Sequence, residues 1–381
     1  MRRSGTLAPI AVALLIAAAP SGGQPPVPKT PPQRTPIAPQ LDVVIPIAPT
    51  AFKADGRWHM VYELHLTNMN RSDCKIASVD AVADDASRRT LVSYAGTRLD
   101  SALARPGLTV TDKSVLAPGT EGIVFVWASV DNANDVPTAI RHRLVVTVGS
   151  NLPDTVITAP VRVGRGAVAI TSPLTGDHWL AGNGPSFSSG HRRALVVIDG
   201  HAAIAQRFAI DWVRLHDNGK TFQGDSLDNK NYLAYGSNAL AVADGIVVET
   251  KDSIPQNVPG ENSRAVPITL ETVAGNHIVL DIGNGHYALY AHLQPGSLRV
   301  KRGDHVRRAQ VLGLVGNTGN STEPHLHFHI MDGPSPLGSE GLPYALPSFQ
   351  VVSHGWKQLQ AGVSEAHHDE IPLEDEVVTF P

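Results

Sequence analysis

The most restrictive feature of this sequence is the stretch at residues 325–330, where histidines alternate strictly with large apolar residues. Successive side chains of a β-strand point to opposite faces of a sheet, so this period of two predicts a strand. Leu326, Phe328 and Ile330 should then face a core. The histidines share the other face, where same-side neighbours stand roughly 6–7 Å apart. This layout suits metal binding and proton transfer.

Short stretches of the same kind recur through residues 166–352, which are rich in glycine and histidine. Asp211 lies on one alternating stretch, and His292 lies at the end of another. Turn sequences that contain glycine separate these stretches, as they do in β-hairpins. We therefore predict a small antiparallel β domain over residues 166–352.

Residues 50–165 contain several β-type stretches separated by turn sequences such as Asp55-Gly56. Typical strand sequences occur at residues 123–127 and 141–148. This spacing predicts an antiparallel β-sandwich of immunoglobulin-like type. The region holds no recognisable catalytic set, so a role in spacing, docking or weak binding is expected. The folded part of the chain is therefore predicted to be all-β.

The two ends of the chain differ in composition from its interior. Residues 1–19 combine two arginines with a short apolar stretch and are predicted to be a signal peptide, with an uncleaved membrane tether as the alternative. Residues 20–49 are rich in proline and predict an extended linker. Residues 353–381 are acidic and predict a disordered tail. An exported protein of the periplasm or cell envelope is expected.

Composition and charge exclude several classes of protein. The 381 residues exceed the usual size of a single core, which favours two domains. The formal net charge of -4 comes without a basic block, so nucleic acid is not an expected partner. Cys74 is the single cysteine, so the chain has neither an internal disulfide nor a cysteine-rich zinc site.

Several motifs follow one another in a recognisable order: Asp211, Ala-Asp-Gly at 243–245, Tyr-Ala-His-Leu at 290–293, Gly-Asp at 303–304 and His-Leu-His-Phe at 325–328. This order resembles that of the lysostaphin-type zinc endopeptidases, and the resemblance extends over residues 167–352. It implies the lysostaphin-type peptidase fold, with a groove above the sheet. It also implies action on the peptide crosslinks of peptidoglycan.

The same resemblance implies roles for individual residues. Asp211 and His327 take the positions of two zinc ligands. His292 and His325 take the positions of two non-ligand histidines that serve the attacking water and the developing oxyanion. A catalytic zinc with three protein ligands lowers the pKa of its water to about 7, and a nearby histidine moves the proton to the leaving amine. Zn²⁺ is therefore the expected cofactor.

One residue departs from the family pattern. The family's first zinc ligand is a histidine four residues before the aspartate, where this chain has Arg207. Arginine offers no lone pair and stays protonated, so the site would keep two of its three ligands. Arg207 could instead pair with Asp211 and so fill the vacated place. Side chains four residues apart on a flat strand do not normally touch, so this pairing would require a bulge.

A substitute ligand could restore the metal site. His329, where the family usually has glutamate, shares a strand face with His327. His201 lies ten residues before Asp211. The remaining upstream candidates are His191 and His178.

Two loops, residues 217–236 and 252–266, are additions to the short form of the family. Loops at the rim of a groove often set specificity or gate access, and that is one interpretation of both. The other is surface elaboration without a function.

Three functions are compatible with these features. The first is an exported zinc metalloendopeptidase that hydrolyses or remodels the cell wall. The second, which Arg207 favours, is a catalytically degenerate relative that binds peptidoglycan or regulates a partner cell-wall hydrolase. The third is a carbohydrate-binding or adhesin-like module whose working part is the sandwich.

Overall fold

The computed structural model describes the chain in these pieces: residues 38–260, 264–357, 359 and 362–381. The residues from Pro39 to Pro381 form one compact unit. The predicted signal peptide, residues 1–19, and residues 20–37 of the predicted linker lie outside the described residues. Within the described part of the chain, no helix has the length and apolar character needed to cross a membrane.

The N-terminal part of the described chain consists of β-strands joined by turns. In chain order the strands are β1 (Leu41–Val44), β2 (Thr50–Ala54), β3 (Arg57–Asn68), β4 (Cys74–Ala83), β5 (Thr90–Ala95), β6 (Leu103–Ala104), β7 (Val115–Leu116), β8 (Glu121–Val130), β9 (Ala139–Val148), β10 (Asp154–Ile157), β11 (Val161–Arg162) and β12 (Gly164–Arg165). Helix α1 (Gly96–Ala102) and a 3-10 turn (Ala133–Asp135) lie between them. The β2–β3 turn has positive φ at Asp55 and Gly56, as a tight hairpin turn requires.

These strands form two sheets with one apolar core between them. The first sheet has the order β12-β2-β3-β8-β6, with β1 beside β3. The second has the order β10-β9-β4-β5, with β11 beside β9 and β7 beside β4. Leu64, Val126 and Leu144, which come from both sheets, are buried in the same cluster. This arrangement is a two-sheet sandwich, and its immunoglobulin-like type stays a prediction.

The C-terminal part is also built almost entirely from strands. They are β13 (Val168–Ala169), β14 (Gly176–Gly182), β15 (Val196–Ile198), β16 (His201–Ala203), β17 (Ile210–Arg214), β18 (Asn238–Leu240), β19 (Gly245–Lys251), β20 (Asn276–Gly283), β21 (His286–Leu293), β22 (His305–Val306), β23 (Val311–Leu314), β24 (Leu326–Met331), β25 (Gly341–Leu342), β26 (Tyr344–Ala345), β27 (Phe349–Ser353), β28 (Glu365–His367) and β29 (Val377–Phe380), with a 3-10 turn at Asn229–Asn231. Most of them join one sheet in the order β22-β19-β20-β21-β24-β17-β14-β29-β27-β28. The all-β fold class is confirmed.

Strand β24 lies inside this sheet, between β21 and β17. Leu326 and Phe328 pack in the domain core, as the alternation predicted. The register sets Asp211 of β17 and Ala291 of β21 opposite His327. The histidines of β24 therefore face away from the core, next to the functional residues of both neighbouring strands.

The sandwich and the C-terminal domain share a buried boundary. Phe52 and Val61 of the sandwich belong to the apolar cluster that forms the core of the domain. The rings of Phe52 and Phe208 meet edge to face, with centroids 5.2 Å apart. The two parts of the chain are therefore packed against each other.

The prediction of a disordered tail at residues 353–381 is wrong for the described residues. Strand β29 pairs with β14 on one side and with β27 on the other, so it lies inside the main sheet. Its Val377, Val378 and Phe380 are buried. The acidic residues around this short apolar strand concealed it, and burial of its side chains provides the driving force for ordering.

The end of the predicted linker also needs correction. Strand β1 lies within residues 20–49 and pairs with β3 along its whole length. Leu41 belongs to the sandwich core. The sandwich therefore begins at Leu41, because a short apolar stretch after the prolines adds a strand to its first sheet.

Candidate metal centre

The ends of β17, β21 and β24 meet at a groove of about 320 Å³. The four residues predicted as zinc ligands or proton-transfer groups all line this groove: Asp211, His292, His325 and His327. Strand pairing thus gathers side chains that lie as far as 116 residues apart in the chain. The groove is the candidate active site.

Three side chains in the groove form a group that can hold a metal ion. One ligand atom from each of His191, Asp211 and His327 lies within 4.8 Å of the other two. Oδ1 of Asp211 is 2.8 Å from Nδ1 of His327, and Oδ2 is 3.4 Å from Nε2 of His191. The carboxylate therefore stands between two imidazoles, which is a donor set that zinc accepts.

Each of these side chains is oriented by a further group. Nδ1 of His191 donates to the carbonyl of Asn183 over 3.0 Å, so its Nε2 faces Asp211. The side-chain amide of Asn183 donates to Oδ2 of Asp211 over 2.8 Å. Nε2 of His327 lies 3.0 Å from Nδ1 of the buried His329. Outer hydrogen bonds of this kind fix the tautomer and the ring direction of metal ligands.

His292 and His325 stand beside this group, with ring centroids 4.8 Å apart. Nδ1 of His292 donates to the carbonyl of Thr318 over 2.7 Å, and Nδ1 of His325 donates to the carbonyl of Glu323 over 2.8 Å. Nε2 is therefore the atom of each ring that can exchange a proton. Nε2 of His325 lies 3.4 Å from Oδ1 of Asp211.

The backbone at His292 is unusual. Its φ of +63° lies in the left-handed region, which is uncommon for a residue with a side chain. The pairing of β21 with β20 also shifts register between Asn276 and Ile278, close to this position. Strained backbone of this kind occurs preferentially at functional sites. Here it accompanies an imidazole that lines the groove.

The charges of the groove suit a cation. Burial alone would raise the pKa of Asp211, but His191, His325 and the hydrogen bonds from His325 and His327 hold it well below its usual value. Burial lowers the pKa of His292 far below its usual value, and it also lowers that of His327. Burial acts in the same direction on His325, but Asp211 outweighs it and raises that pKa. An ionised carboxylate therefore faces imidazoles, two of which are held neutral.

Arg207 does not occupy this site. Its guanidinium pairs with Glu63 over 2.9 Å and with Glu340 over 2.8 Å, and it donates to the carbonyl of Gly341. Arg207, Glu63 and Glu340 are all buried. The expectation that Arg207 fills the vacated ligand place or pairs with Asp211 is wrong, because two buried carboxylates hold it at the boundary with the sandwich.

The third place in the metal group belongs to His191, not to the substitutes favoured from the sequence. His201 is exposed at the start of β16, and both it and His178 lie outside the group found among the described residues. His329 lies behind His327 and contacts that ring. His329 is therefore placed as an orienting partner of the candidate ligand.

No periodic pattern marks His191 as a ligand. It lies in a turn after β14, in which the amide of Arg193 bonds to the carbonyl of Gly190. Strand β14 ends with Gly182 paired to Asp211. The chain therefore leaves β14 beside the carboxylate and brings back a histidine that is twenty residues from it in sequence. Strand pairing reveals this contact, and a fixed motif spacing does not.

The two inserted loops support the groove. Asn257 of the second loop is buried and donates to the carbonyls of Gly319 and Ser321, each over 2.9 Å. Asn229 of the first loop donates to the carbonyl of Asn257 over 2.7 Å. These bonds stabilise the turn whose Thr318 carbonyl accepts the hydrogen bond from His292. Both loops therefore contribute to the structure of the site.

The sequence of this region matches a known protein family. Residues 231–338 match the model of Peptidase family M23. The chain contains a lysostaphin-type M23 domain at these residues. They lie within the C-terminal β domain from β13 to β29, and that β domain is named the M23 domain after them. His292, His325 and His327 lie within the matched residues of the M23 domain, whereas Asp211 and His191 precede them.

Named relatives resemble the M23 domain over part of their length. Peptidoglycan DD-endopeptidase ShyA of Vibrio cholerae is 45% identical over 58 residues, which are 15% of this chain and 13% of ShyA. Lysostaphin of Staphylococcus simulans is 47% identical over 58 residues, which are 15% of this chain and 11% of lysostaphin. The chain thus spans about an eighth of the length of these two relatives. The solved catalytic domain of lysostaphin from Staphylococcus simulans aligns with 24% identity and a TM-score of 0.24, covering 43% of this chain and 88% of that domain.

Proposed function

We propose that the M23 domain is an exported zinc metalloendopeptidase that cleaves the peptide crosslinks of peptidoglycan. The observation that carries this proposal is the group of His191, Asp211 and His327, which supplies the third ligand that the position of Arg207 lacks. The substrate class is suggested by the relatives, since ShyA is named a peptidoglycan DD-endopeptidase. The predicted signal peptide supports export to the periplasm or cell envelope.

The three side chains fit zinc by their chemistry. A catalytic zinc takes three nitrogen or oxygen ligands from the protein and keeps a further position open. Two imidazoles and one carboxylate, oriented by Asn183 and His329, meet that requirement. When bound, zinc polarises the scissile carbonyl and lowers the pKa of water, which makes a nucleophile at neutral pH.

Proton transfer falls to His292 and His325. Their Nδ1 atoms are engaged by backbone carbonyls, so Nε2 is the atom that takes or returns a proton. A positioned imidazole of this kind accepts the proton of the attacking water, and a protonated one delivers it to the leaving amine. Both rings are buried, and their fixed orientation removes the cost of aligning them during the reaction.

The zinc content and the peptidoglycan-cleaving activity of the purified full chain test the proposal. We expect one equivalent of zinc and cleavage that a chelator abolishes. His191→Ala should bind zinc much more weakly and lose the cleavage. His325→Gln should keep zinc and lower the cleavage rate by about 10²–10⁴-fold. His201→Ala is the matched control, because this exposed histidine lies outside the group, and it should change neither quantity.

Two outcomes would count against the proposal. A natural chain that takes up no zinc under zinc-replete conditions would favour the degenerate alternative, a relative that binds peptidoglycan or regulates a partner cell-wall hydrolase. A His191→Ala chain that keeps its zinc and its activity would show that the ligand assignment is wrong.

A further inference from the structure

The turn that carries His191 rests on the N-terminal sandwich. The next residue, Arg192, is completely buried. Its Nη2 donates to the carbonyl of Val126 over 2.7 Å and lies 3.9 Å from Oε1 of Glu63. The guanidinium also lies over the ring of Phe125, 5.4 Å from its centroid. These partners belong to β3 and β8 of the sandwich, which precede the M23 domain in the chain.

Glu63 connects both ligand-bearing segments to the sandwich. Its carboxylate pairs over 2.9 Å with Arg207, which lies four residues before Asp211. It also lies 3.9 Å from Arg192, which directly follows His191. Glu63 is 3% exposed, and a carboxylate buried to that extent is strongly disfavoured without its cationic partners. The charge of Glu63 therefore holds both the turn with His191 and the segment before Asp211 against the sandwich.

Further contacts on the same side hold the turn. Arg193 donates to the carbonyl of Ser101 in α1 over 2.9 Å. Ile204, which follows the β15–β16 hairpin, packs against Ile123 and Phe125 of β8. Part of the chain between β14 and β17 therefore packs on the sandwich.

We infer that the sandwich positions the third metal ligand, with Arg192 and Glu63 as the positioning residues that keep His191 within reach of Asp211. This inference rests on the proposed metal site. Asp211 and His327 are held by direct pairing of β17 with β24, whereas His191 lies in a turn. The metal affinity of the M23 domain then depends on contacts with the preceding part of the chain.

A double-mutant cycle on the full chain tests this dependence, with zinc affinity measured by competition against a chromophoric chelator. Arg192→Met keeps an unbranched side chain and removes the guanidinium with its hydrogen bonds. It should weaken zinc binding by about 10- to 100-fold, the typical effect of losing a residue that orients a metal ligand. Added to His191→Ala, it should weaken binding no further, because the ligand that it positions is already absent.

The control is Arg143→Met, which removes an ion pair with Asp80 elsewhere in the sandwich and should leave zinc affinity unchanged. Should Arg192→Met fail to fold, Arg192→Lys takes its place. It keeps the charge, loses the guanidinium fork, and should show a smaller weakening in the same direction.

Each result of the cycle either supports or overturns the positioning role of Arg192. Natural zinc affinity in the Arg192 variant, or a loss that simply adds to that of His191→Ala, overturns the inference and leaves the proposed function intact. A natural chain that binds no zinc overturns both. A weakening that disappears in the His191→Ala background supports the positioning role.

Discussion

Nη2 of Arg207 lies 2.9 Å from Oε2 of Glu63, and each of the two side chains is 4% exposed. This ion pair joins the segment before β17 to the sandwich across 144 residues of sequence. Glu340 approaches the same guanidinium to 2.8 Å. One cation thus stands between two buried carboxylates, and the residue found where the family pattern has a zinc ligand has a structural role.

Arg207→His should destabilise the chain without adding a metal site. The change removes the cation that stands between Glu63 and Glu340, and it leaves Glu63 with Arg192 alone, 3.9 Å away. This should cost about 3–5 kcal/mol in the free energy of unfolding. Urea unfolding and the zinc content per chain measure the two effects. Arg57→His, from the exposed ion pair with Asp131, should cost less than about 1 kcal/mol. Additional zinc bound by Arg207→His would show that position 207 reaches the groove.

His329→Leu should weaken zinc binding even though His329 is not a candidate ligand. Its Nδ1 lies 3.0 Å from Nε2 of His327, and leucine would leave that nitrogen without its partner. The dissociation constant should rise by about 10- to 100-fold, as measured by chelator competition. His201→Leu should have no effect, because that side chain is exposed. Unchanged affinity in His329→Leu would mean that packing alone orients His327.

The sandwich should lose stability at acid pH through His142. This imidazole is buried, and its Nε2 is hydrogen-bonded to the hydroxyl of Tyr62 over 2.7 Å. Burial lowers the pKa of His142 from 6.5 to about 4, so the unfolded chain takes up a proton at a higher pH than the folded chain. The contribution of His142 to stability is therefore complete above pH 6.5 and is lost as the pH falls toward 4. At the lower end of that range the loss should reach about 3 kcal/mol.

The free energies of unfolding of the natural chain and of His142→Asn, each measured by urea at neutral and at acid pH, check that expectation. At neutral pH the variant should be less stable, because it loses the hydrogen bond with Tyr62. Its free energy of unfolding should then decrease less steeply as the pH falls. Parallel pH profiles for the two proteins would contradict the assignment of this effect to His142.

Phe380→Ala should destabilise the M23 domain although it lies one residue from the end of this sequence. Phe380 is 2% exposed, and its ring meets that of Trp212 edge to face with centroids 5.2 Å apart. Loss of a buried phenylalanine should cost about 3–5 kcal/mol, measured by urea unfolding. Leu152→Ala, at a side chain that is 88% exposed, should change stability by less than about 0.5 kcal/mol. Equal stabilities would contradict the burial of Phe380 and favour the predicted disordered tail.

Local patterns in the sequence predicted a large part of the fold. The alternation at residues 325–330 indicated β24 and the face that it buries, and both are present. Asp211 and His327 lie opposite each other because β17 and β24 are neighbours in one sheet. Side chains on paired strands follow a period of two, so residue order and alternation carry enough information to place them on a common face. The tail was misjudged because composition was averaged over a segment in which four residues form a buried strand.

The sequence by itself determined the strands that alternate clearly, the type of the C-terminal domain, and the groove residues that follow from strand alternation. Only the tertiary structure decided which histidine approaches Asp211 and where Arg207 points. His191 lies in a turn, and Glu63 lies on a strand of another sheet. Their contacts depend on how the sandwich packs against the M23 domain. Packing between distant segments leaves no period and no fixed spacing in the chain, so these contacts become visible only in the folded molecule.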